Sequence, residues 1–448
     1  MNLALQATRY APRRLAMPGD RRVHLVGVAA AEMQALAEVL VAEGWTVSGS
    51  DIAEPPRWLW TAGVRAFQGH AAEHVTRGTD LLIHSETIGP ENNERRRAAE
   101  VGVRQLSYSR MLAEWMTGRV GLAVAGTHGK STTTAMAAEI LSAAGLDPTV
   151  VGSGAPLAAN SGGRRGRGRY FLAEADENRR GFLRLSPHIA VILGIDADHL
   201  NGFASLEELE AAFTEFARRL PSGGVLVANS DCPVTRRVAE KARCRVVTFG
   251  LEPRAQWHAQ WLHGEGGRYR FELVVDGAVV TEVSLRVPGR HHVVNALAAA
   301  CLAGQVGVES GAIVAGLRRF AGLKRRLERV GFWQGAVWFD DEARHPTEIR
   351  TTLAAISEMF PSRRIWCILQ PHQTSRTWRL LDEPASNVRN ADRLAEADMP
   401  KEHRPEDLFE VVASSIRVGD VLLTLGAGDI RNVWNGFTGR LRPYRAAG

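Results

Sequence analysis

Cysteine is scarce in this 448-residue chain: Cys232, Cys244, Cys301 and Cys367 lie far apart, with no C-x-x-C pair. That pattern fits a reducing compartment and argues against a zinc site or a disulfide framework. Long apolar runs are missing too; none approaches the roughly 18 residues of a membrane span. The opening stretch "MNLALQATRYAPRRLAMPGDRR" carries arginines but lacks the continuous apolar core of a secretory signal. Residues 1–21 therefore read as a disordered lead-in, and the protein as cytoplasmic, with no membrane partner. No repeat of solenoid period is present.

Positive charge is not scarce. The net charge is +6 and the pI near 9.4. Most basic residues are scattered; the exception is "GGRRGRGR" at 162–169. That stretch reads as an exposed, solvated loop rather than an RNA contact, so no nucleic-acid partner is expected. An anionic small substrate accounts for the basic balance equally well.

The length suggests more than one domain, and three blocks emerge. In the first, 22–118, "VHLVGV" and "WTVSGSD" read as strands flanking the helical "AEMQALAEVLVAEG", with a further strand at "TDLLIHS". The second, 119–322, continues through the strands "RYFLAEAD", "HIAVILGID", "GGVLVANS" and "CRVVTFG", then an alternating, antiparallel stretch at 256–287. A helix, "HHVVNALAAACLAGQVG", follows the turn "PGR". The third, 323–448, alternates again: "AVWFDD", "HPTEIRTTLAAISEMF", "RRIWCILQ", "PEDLFEVVASSI" and "DVLLTLGAGDI". Strands alternating with helices predict parallel sheets with crossover connections. The expected fold is three α/β domains: a Rossmann-like first domain, a central P-loop ATPase-like domain with a mostly parallel sheet, and a Rossmann-like third.

The chemistry concentrates in "LAVAGTHGKSTTTAM", residues 122–136. A strand runs into glycines and a helix, so backbone N–H groups and the positive helix end converge on one concavity suited to phosphate oxygens. Gly126 and Gly129 permit close backbone approach, Lys130 neutralises β/γ oxygens, and the Ser131 hydroxyl suits Mg²⁺. Val124 stands where the usual phosphate loop has its first glycine. Two later strand ends carry acids, Glu174, Asp176 and Glu177 in "AEADEN" and Asp196 and Asp198 beside His199 in "GIDADHLNGF". In a parallel sheet such ends share the edge where the phosphate loop sits, which favours a metal or substrate role.

With these residues in view, the chain resembles the Mur ligase superfamily, the ATP-dependent amino-acid ligases of peptidoglycan assembly, from about residue 22 onward. "GTHGKSTTTAM", "AEADEN", "ADHL", "GRHHVVNALAA", "KRRLE", "DDEARHPTEI", "QPHQTSRT" and "LTLGAGDI" occur in the family's order. The missing early glycine is the family's own loop variant. The resemblance implies that Gly126, Thr127, His128, Gly129, Lys130, Ser131 and Thr132 cradle ATP. It implies His291, Asn295, Arg326, Asp341 and His345 as further nucleotide contacts, and Ser131, Glu174 and His199 as metal ligands. Imidazole is an unusual magnesium ligand, and His199 could instead orient or deprotonate the incoming amine. Arg376 matches an arginine that holds an amino-acid carboxylate, and Lys130, His199 and Arg376 are the implied catalytic set. Gly27, Ser50, Asp51 and His70 match the side that binds a UDP-sugar.

The implied activity joins L-alanine, or a related amino acid, to the carboxylate of UDP-N-acetylmuramate, with ATP and Mg²⁺, through an acyl phosphate. The pattern also departs from the family. The first-domain loop reads "GVAAAEM", with Ala29, Ala30 and Glu32 at glycine positions; the added methyls hinder, and the carboxylate repels, a diphosphate. Glu342 and Arg344 replace an aromatic residue and a histidine, and Gln373 replaces a second arginine. The third domain is short, and "PASNVRNADRLAEADMPKEHRPED" reads as largely loop. These changes leave two alternatives: an ATP-binding paralogue with lost or altered ligase activity, or a ligase that attaches a different amino acid or a peptide.

Overall fold

A computed structural model describes residues 21–197, 202–370, 379–384, 405–426 and 442–443. Residues 1–20 of the expected lead-in, Asp198, His199, Gln373, Arg376 and the stretch 385–404 lie outside these residues.

The first sheet is wholly parallel, in the order β3-β2-β1-β4-β5. Its strands are β1 (Arg22–Val26), β2 (Thr46–Asp51), β3 (Val64–Gln68), β4 (Leu81–His84) and β5 (Arg104–Ser107). Helices α1 (Ala31–Ala42), α2 (Trp58–Thr61), α3 (Asn93–Glu100) and α4 (Tyr108–Met116) supply the crossovers. The reversal of strand order at β1 puts the β1–α1 turn at the carboxyl edge of the sheet, where such folds bind ligands. Helix α3 starts cleanly because the Asn92 side chain accepts from the N–H groups of Glu94 and Arg95, at 2.9 and 3.2 Å.

The second sheet has ten strands, β6 (Val120–Ala125), β7 (Thr149–Gly152), β8 (Gly162–Arg164), β9 (Tyr170–Glu174), β10 (Ile189–Ile192), β11 (Val225–Asn229), β12 (Arg245–Gly250), β13 (Trp257–Glu265), β14 (Arg268–Val275) and β15 (Ala278–Pro288). Their order is β15-β14-β13-β12-β11-β10-β6-β9-β7-β8. Strands β7, β9, β6, β10, β11 and β12 are mutually parallel, and β8 runs antiparallel at the edge. The centre of this sheet is covered on both faces, so β6 and β10 are apolar at nearly every position. The helices are α5 (Lys130–Ala143), α6 (Leu206–Arg218), α7 (Pro233–Glu240), α8 (Arg290–Gln305) and α9 (Ser310–Arg319). Helix α9 packs closely on α5 because a side chain at Gly316 would strike the Ile140 backbone.

One sequence expectation is corrected at β8. "GGRRGRGR" is not simply a solvated loop: Gly162 and Gly163 pair with β7, and Gly166 is buried. A Cβ at Gly163 would run into the Ala35 backbone of α1, and one at Gly166 or Gly168 into residues 146–148. The glycines let an edge strand lie flush against neighbouring backbone, while Arg165, Arg167 and Arg169 remain exposed.

The third sheet, in the order β19-β18-β20-β17-β16-β21, has a parallel centre formed by β17 (Ala336–Asp341), β18 (Arg364–Leu369) and β20 (Val421–Leu425). Antiparallel strands β16 (Glu328–Trp333), β19 (Arg379–Pro384) and β21 (Arg442–Pro443) flank it. Helices α10 (Pro346–Met359) and α11 (Pro405–Ser415) complete the block. Trp338 and Trp366 are fully buried there, with indole N–H groups donating to Thr424 Oγ1 at 3.1 Å and Asp420 Oδ2 at 3.0 Å.

By backbone proximity the chain forms two compact units. The first contains the described residues up to Gln260, Glu272–Val283 and Val294–Phe320; the second contains Trp261–Phe271, Ser284–Val293 and the described residues from Ala321. The first unit shares one core, running from Val23 and Leu36 to Phe171, Phe213 and Val238. Among the described residues no helix is long and apolar enough to cross a membrane.

Candidate functional site

The turn from β6 into α5 forms the phosphate-loop geometry that the sequence predicts. Gly126 and Gly129 take φ of +135° and +81°, a region that favours glycine. Thr127 anchors the turn to the loop after β10: its N–H donates to Gly194 O at 2.8 Å, and its Oγ1 accepts from the Asp196 N–H at 2.9 Å. Asn295 of α8 closes the other side, where a Cβ on Gly129 would stand 2.5 Å from Asn295 Oδ1. The turn thus brings closely approached backbone to the start of a helix of 14 residues.

Lys130 lies within that turn. Its Nζ donates to Gly126 O at 2.7 Å and to Glu177 Oε2 at 2.8 Å, with Asp176 at 4.0 Å. Burial opposes its charge, but the neighbouring Glu177, Asp176 and Glu174 carboxylates outweigh it and raise the lysine pKa. Lys130 is therefore a held cation. Ser131 Oγ lies 3.0 Å from both Glu174 Oε1 and Ser153 Oγ, while Glu174 Oε2 accepts from the Ser153 hydroxyl at 2.8 Å and its N–H at 2.9 Å. Ser153 escaped the sequence reading because a serine after a short strand has no distinctive spacing.

Glu174 and Asp176 line a cavity together with Glu32, Glu86, Tyr108 and Ser109. Glu32, in the first turn of α1, therefore faces the cleft rather than packing away from it. Burial, reinforced by repulsion from Asp176, Glu174 and Asp51, pushes its pKa from 4.5 up to about 7. The raised pKa makes Glu32 easier to protonate than an exposed glutamate, which lessens the repulsion the sequence predicts. A carboxyl whose folded pKa exceeds its unfolded one costs nothing below the unfolded value. The cost grows as pH rises from 4.5 and is complete above about 7. Glu32→Gln should accordingly stabilise the protein by about 2–3 kcal/mol at pH 8 and by little at pH 4.5. Denaturant midpoints at the two pH values check this; equal gains at both would contradict it.

Gly27, Ser50, Asp51 and His70 come together at the carboxyl ends of β1 and β2. The Gly27 N–H donates to Ser50 O at 2.8 Å, and the Ser50 hydroxyl lies 2.9 Å from His70 Nδ1. Asp51 spends both oxygens on backbone, accepting from Ala29 N and Ala53 N at 3.0 Å each. It shapes the altered loop. The Ser50 hydroxyl donates to the fully buried Glu94, on which His24, His70 and His74 also converge. Burial works against the Glu94 charge, but His24, Ser50 and His74 together hold its pKa down to about 2.

His291 and Asn295 both lie on α8. His291 lies against His292 with ring centroids 4.0 Å apart and planes tilted by 42°; burial lowers the His292 pKa to about 4 and that of His291 well below the usual range. Both imidazoles are neutral. In the second unit, Asp341 accepts from the N–H groups of Leu327 and Ala343 at 2.7 Å each, and burial pushes its pKa up to about 7. Arg326 forms an ion pair with Glu342, giving that departure from the family pattern a structural partner. His345 caps α10, where a reciprocal bond with Glu348 completes a capping box.

A glycine-walled turn between a parallel strand and a helix, with a held lysine and clustered hydroxyl and carboxylate oxygens, defines a nucleotide-phosphate site in an α/β protein of three sheets. Family models described as "Mur ligase family, catalytic domain", "Mur ligase middle domain" and "Mur ligase, glutamate ligase domain" match residues 22–119, 124–303 and 325–421. The chain belongs to the Mur ligase family. It is 37% identical to a UDP-N-acetylmuramate–L-alanine ligase of Salinibacter ruber, over 92% of this chain and 93% of that one. A Xylella fastidiosa protein of the same description is also 37% identical, over 94% and 97%. The crystal structure of the UDP-N-acetylmuramate–alanine ligase of Thermotoga maritima superposes with a TM-score of 0.78 at 26% identity, covering 94% of this chain and 98% of that one.

Proposed function

We propose that this chain is an ATP-dependent carboxylate–amine ligase that joins L-alanine, or a closely related amino acid, to the lactyl carboxylate of UDP-N-acetylmuramate. The reaction serves peptidoglycan precursor synthesis in the cytoplasm. The observation that carries this reading is the phosphate turn at 126–132, whose Ser131 shares Glu174 with Ser153 at the wall of the cavity that Glu32 also faces. Residues 22–118 would hold the sugar nucleotide, 119–322 ATP, and 323–448 the amino acid.

A carboxylate does not condense with an amine at neutral pH, because oxide or hydroxide leaves poorly. Phosphorylation by ATP converts that oxygen into part of a phosphate leaving group. The amine then attacks the acyl carbon, the C–O bond to phosphate breaks, and one proton leaves the nitrogen. Lys130 neutralises transferring phosphoryl oxygens after exchanging Glu177 for them, and the backbone N–H groups of 126–132 fix the chain of phosphates in line. Glu177 is a positioning residue that stores the lysine beside its place of action.

Ser131 and Glu174, with Ser153 beside them, would hold Mg²⁺; their hard oxygens, already within 3.0 Å of one another, fit that ion. When bound, the ion supplies positive charge to phosphate oxygens. Gly27, Ser50, Asp51 and His70 form the sugar-nucleotide side, and Glu32 makes that side favour a lower pH. Arg376 and His199 retain their proposed roles, on the amino-acid carboxylate and on the amine or metal.

The test is phosphate release from ATP in the presence of UDP-N-acetylmuramate and a panel of amino acids. Release that depends on L-alanine supports the ligase. Tight ATP binding without amino-acid-dependent release defeats it in favour of a nucleotide-binding paralogue.

A further inference from the structure

Three histidines surround one buried carboxylate in the first domain, and one of them, His24, faces it with a ring nitrogen that has no hydrogen-bond partner of acceptable geometry. The Ser48 hydroxyl lies 2.9 Å from His24 Nδ1 and 3.4 Å from Val23 O. His24 Nε2, on the other side of the ring, is directed toward Glu94 Oε1, 3.4 Å away. Both side chains are fully buried, and His24 Nε2 makes no hydrogen bond of acceptable geometry. A buried ring nitrogen without a partner of good geometry, directed at a carboxylate, is a place that a cation can fill.

We infer that His24, His74 and Glu94 form a binding site for a zinc-class divalent ion. Ligand atoms about 2.0–2.1 Å from a tetrahedral ion lie roughly 3.3–3.4 Å apart, which is the His24–Glu94 spacing. His24 Nε2, a His74 ring nitrogen and a Glu94 oxygen all fall within 4.8 Å of one another. The His24–Ser48 bond is the outer contact that a metal-bound imidazole usually makes, since it fixes ring and tautomer. His74 stacks on Phe67 with ring centroids 4.0 Å apart, which fixes the second imidazole. Two imidazoles and a carboxylate favour Zn²⁺, Co²⁺ or Ni²⁺ over Mg²⁺.

His74 Nδ1 now donates to Glu94 Oε1 at 2.6 Å, so metal binding through that nitrogen moves the ring proton to Nε2 and opens that contact. His70 keeps its Nδ1–H for Ser50 and Glu94, leaving the fourth position to water. The cysteine spacings gave no hint of this site because none of its ligands is a thiolate. It ties β1, the segment after β3 and α3 together directly beneath Ser50.

The experiment titrates Co²⁺ and then Zn²⁺ into the chelator-stripped full-length protein. ATP is omitted, and millimolar Mg²⁺ occupies the oxygen site beside Ser131, so ligase failure and metal-site failure are separately visible. Expected is one Co²⁺ per chain, intense visible bands of four-coordinate cobalt and displacement by Zn²⁺. His74→Asn, whose amide can still donate to Glu94, should weaken binding more than about 100-fold with an unchanged circular dichroism spectrum. His24→Asn should do the same; should it fail to fold, the half-buried His74 position decides. Absence of stoichiometric uptake, weak six-coordinate bands, or His74→Asn binding within about threefold of the parent would overturn the site.

Discussion

Lys130→Met should lower kcat/KM for amino-acid-dependent phosphate release by about 10²–10³-fold, the usual loss when one charge-stabilising donor is removed from a transition state. The lysine is held charged in the phosphate turn, with Nζ 2.7 Å from Gly126 O and 2.8 Å from Glu177 Oε2, so its cation is in place before substrate arrives. The variant also leaves Glu177 buried without its cation, which costs stability. Lys130→Met/Glu177→Gln removes that second effect. Steady-state kinetics and denaturation of both variants separate the two contributions. If the double variant regains the parent rate, Lys130 acts only by neutralising Glu177, and its assigned role is wrong.

Gly129→Ala should cost about 10²-fold in kcat/KM through displacement of the loop. Its φ of +81° already disfavours a side chain, by about 1–2 kcal/mol, and its Cβ would stand 2.5 Å from Asn295 Oδ1. Either the asparagine or the turn must move, and the turn carries the amides that aim at phosphate. Gly145 provides the control, since its φ is +72° but a Cβ there meets nothing within 4 Å. Gly145→Ala should pay only the backbone strain and keep its kcat/KM. Comparable kinetic losses in both variants would show that strain, rather than crowding at Asn295, governs the loop.

The phosphate turn was legible in the sequence because its chemistry is local: glycines, lysine and serine are neighbours, and apolar runs of different period flank them. The acids at 174–177 were legible because they follow a strand and parallel strand ends share an edge. Ser153 was not, since its contact with Glu174 spans β7 and β9 and leaves no mark in spacing. "GGRRGRGR" misled because counting charge says nothing of what glycine allows; Gly163 is there to meet Ala35 backbone. Glu32 stood out as a carboxylate in a glycine loop, but its raised pKa comes first from burial and then from Asp176 and Glu174, which are more than a hundred residues away. His24, His74 and Glu94 come from a strand, a short turn and a helix start, so their convergence appears only when the domain is folded.

The most direct measurement of the central claim uses UDP-N-acetylmuramate labelled with ¹⁸O in its carboxylate. Phosphoryl transfer to that carboxylate, followed by amine attack, predicts one ¹⁸O atom in each phosphate released with L-alanine. Phosphate that carries no label, or appears without the labelled substrate, would contradict an acyl phosphate formed at the Lys130 turn.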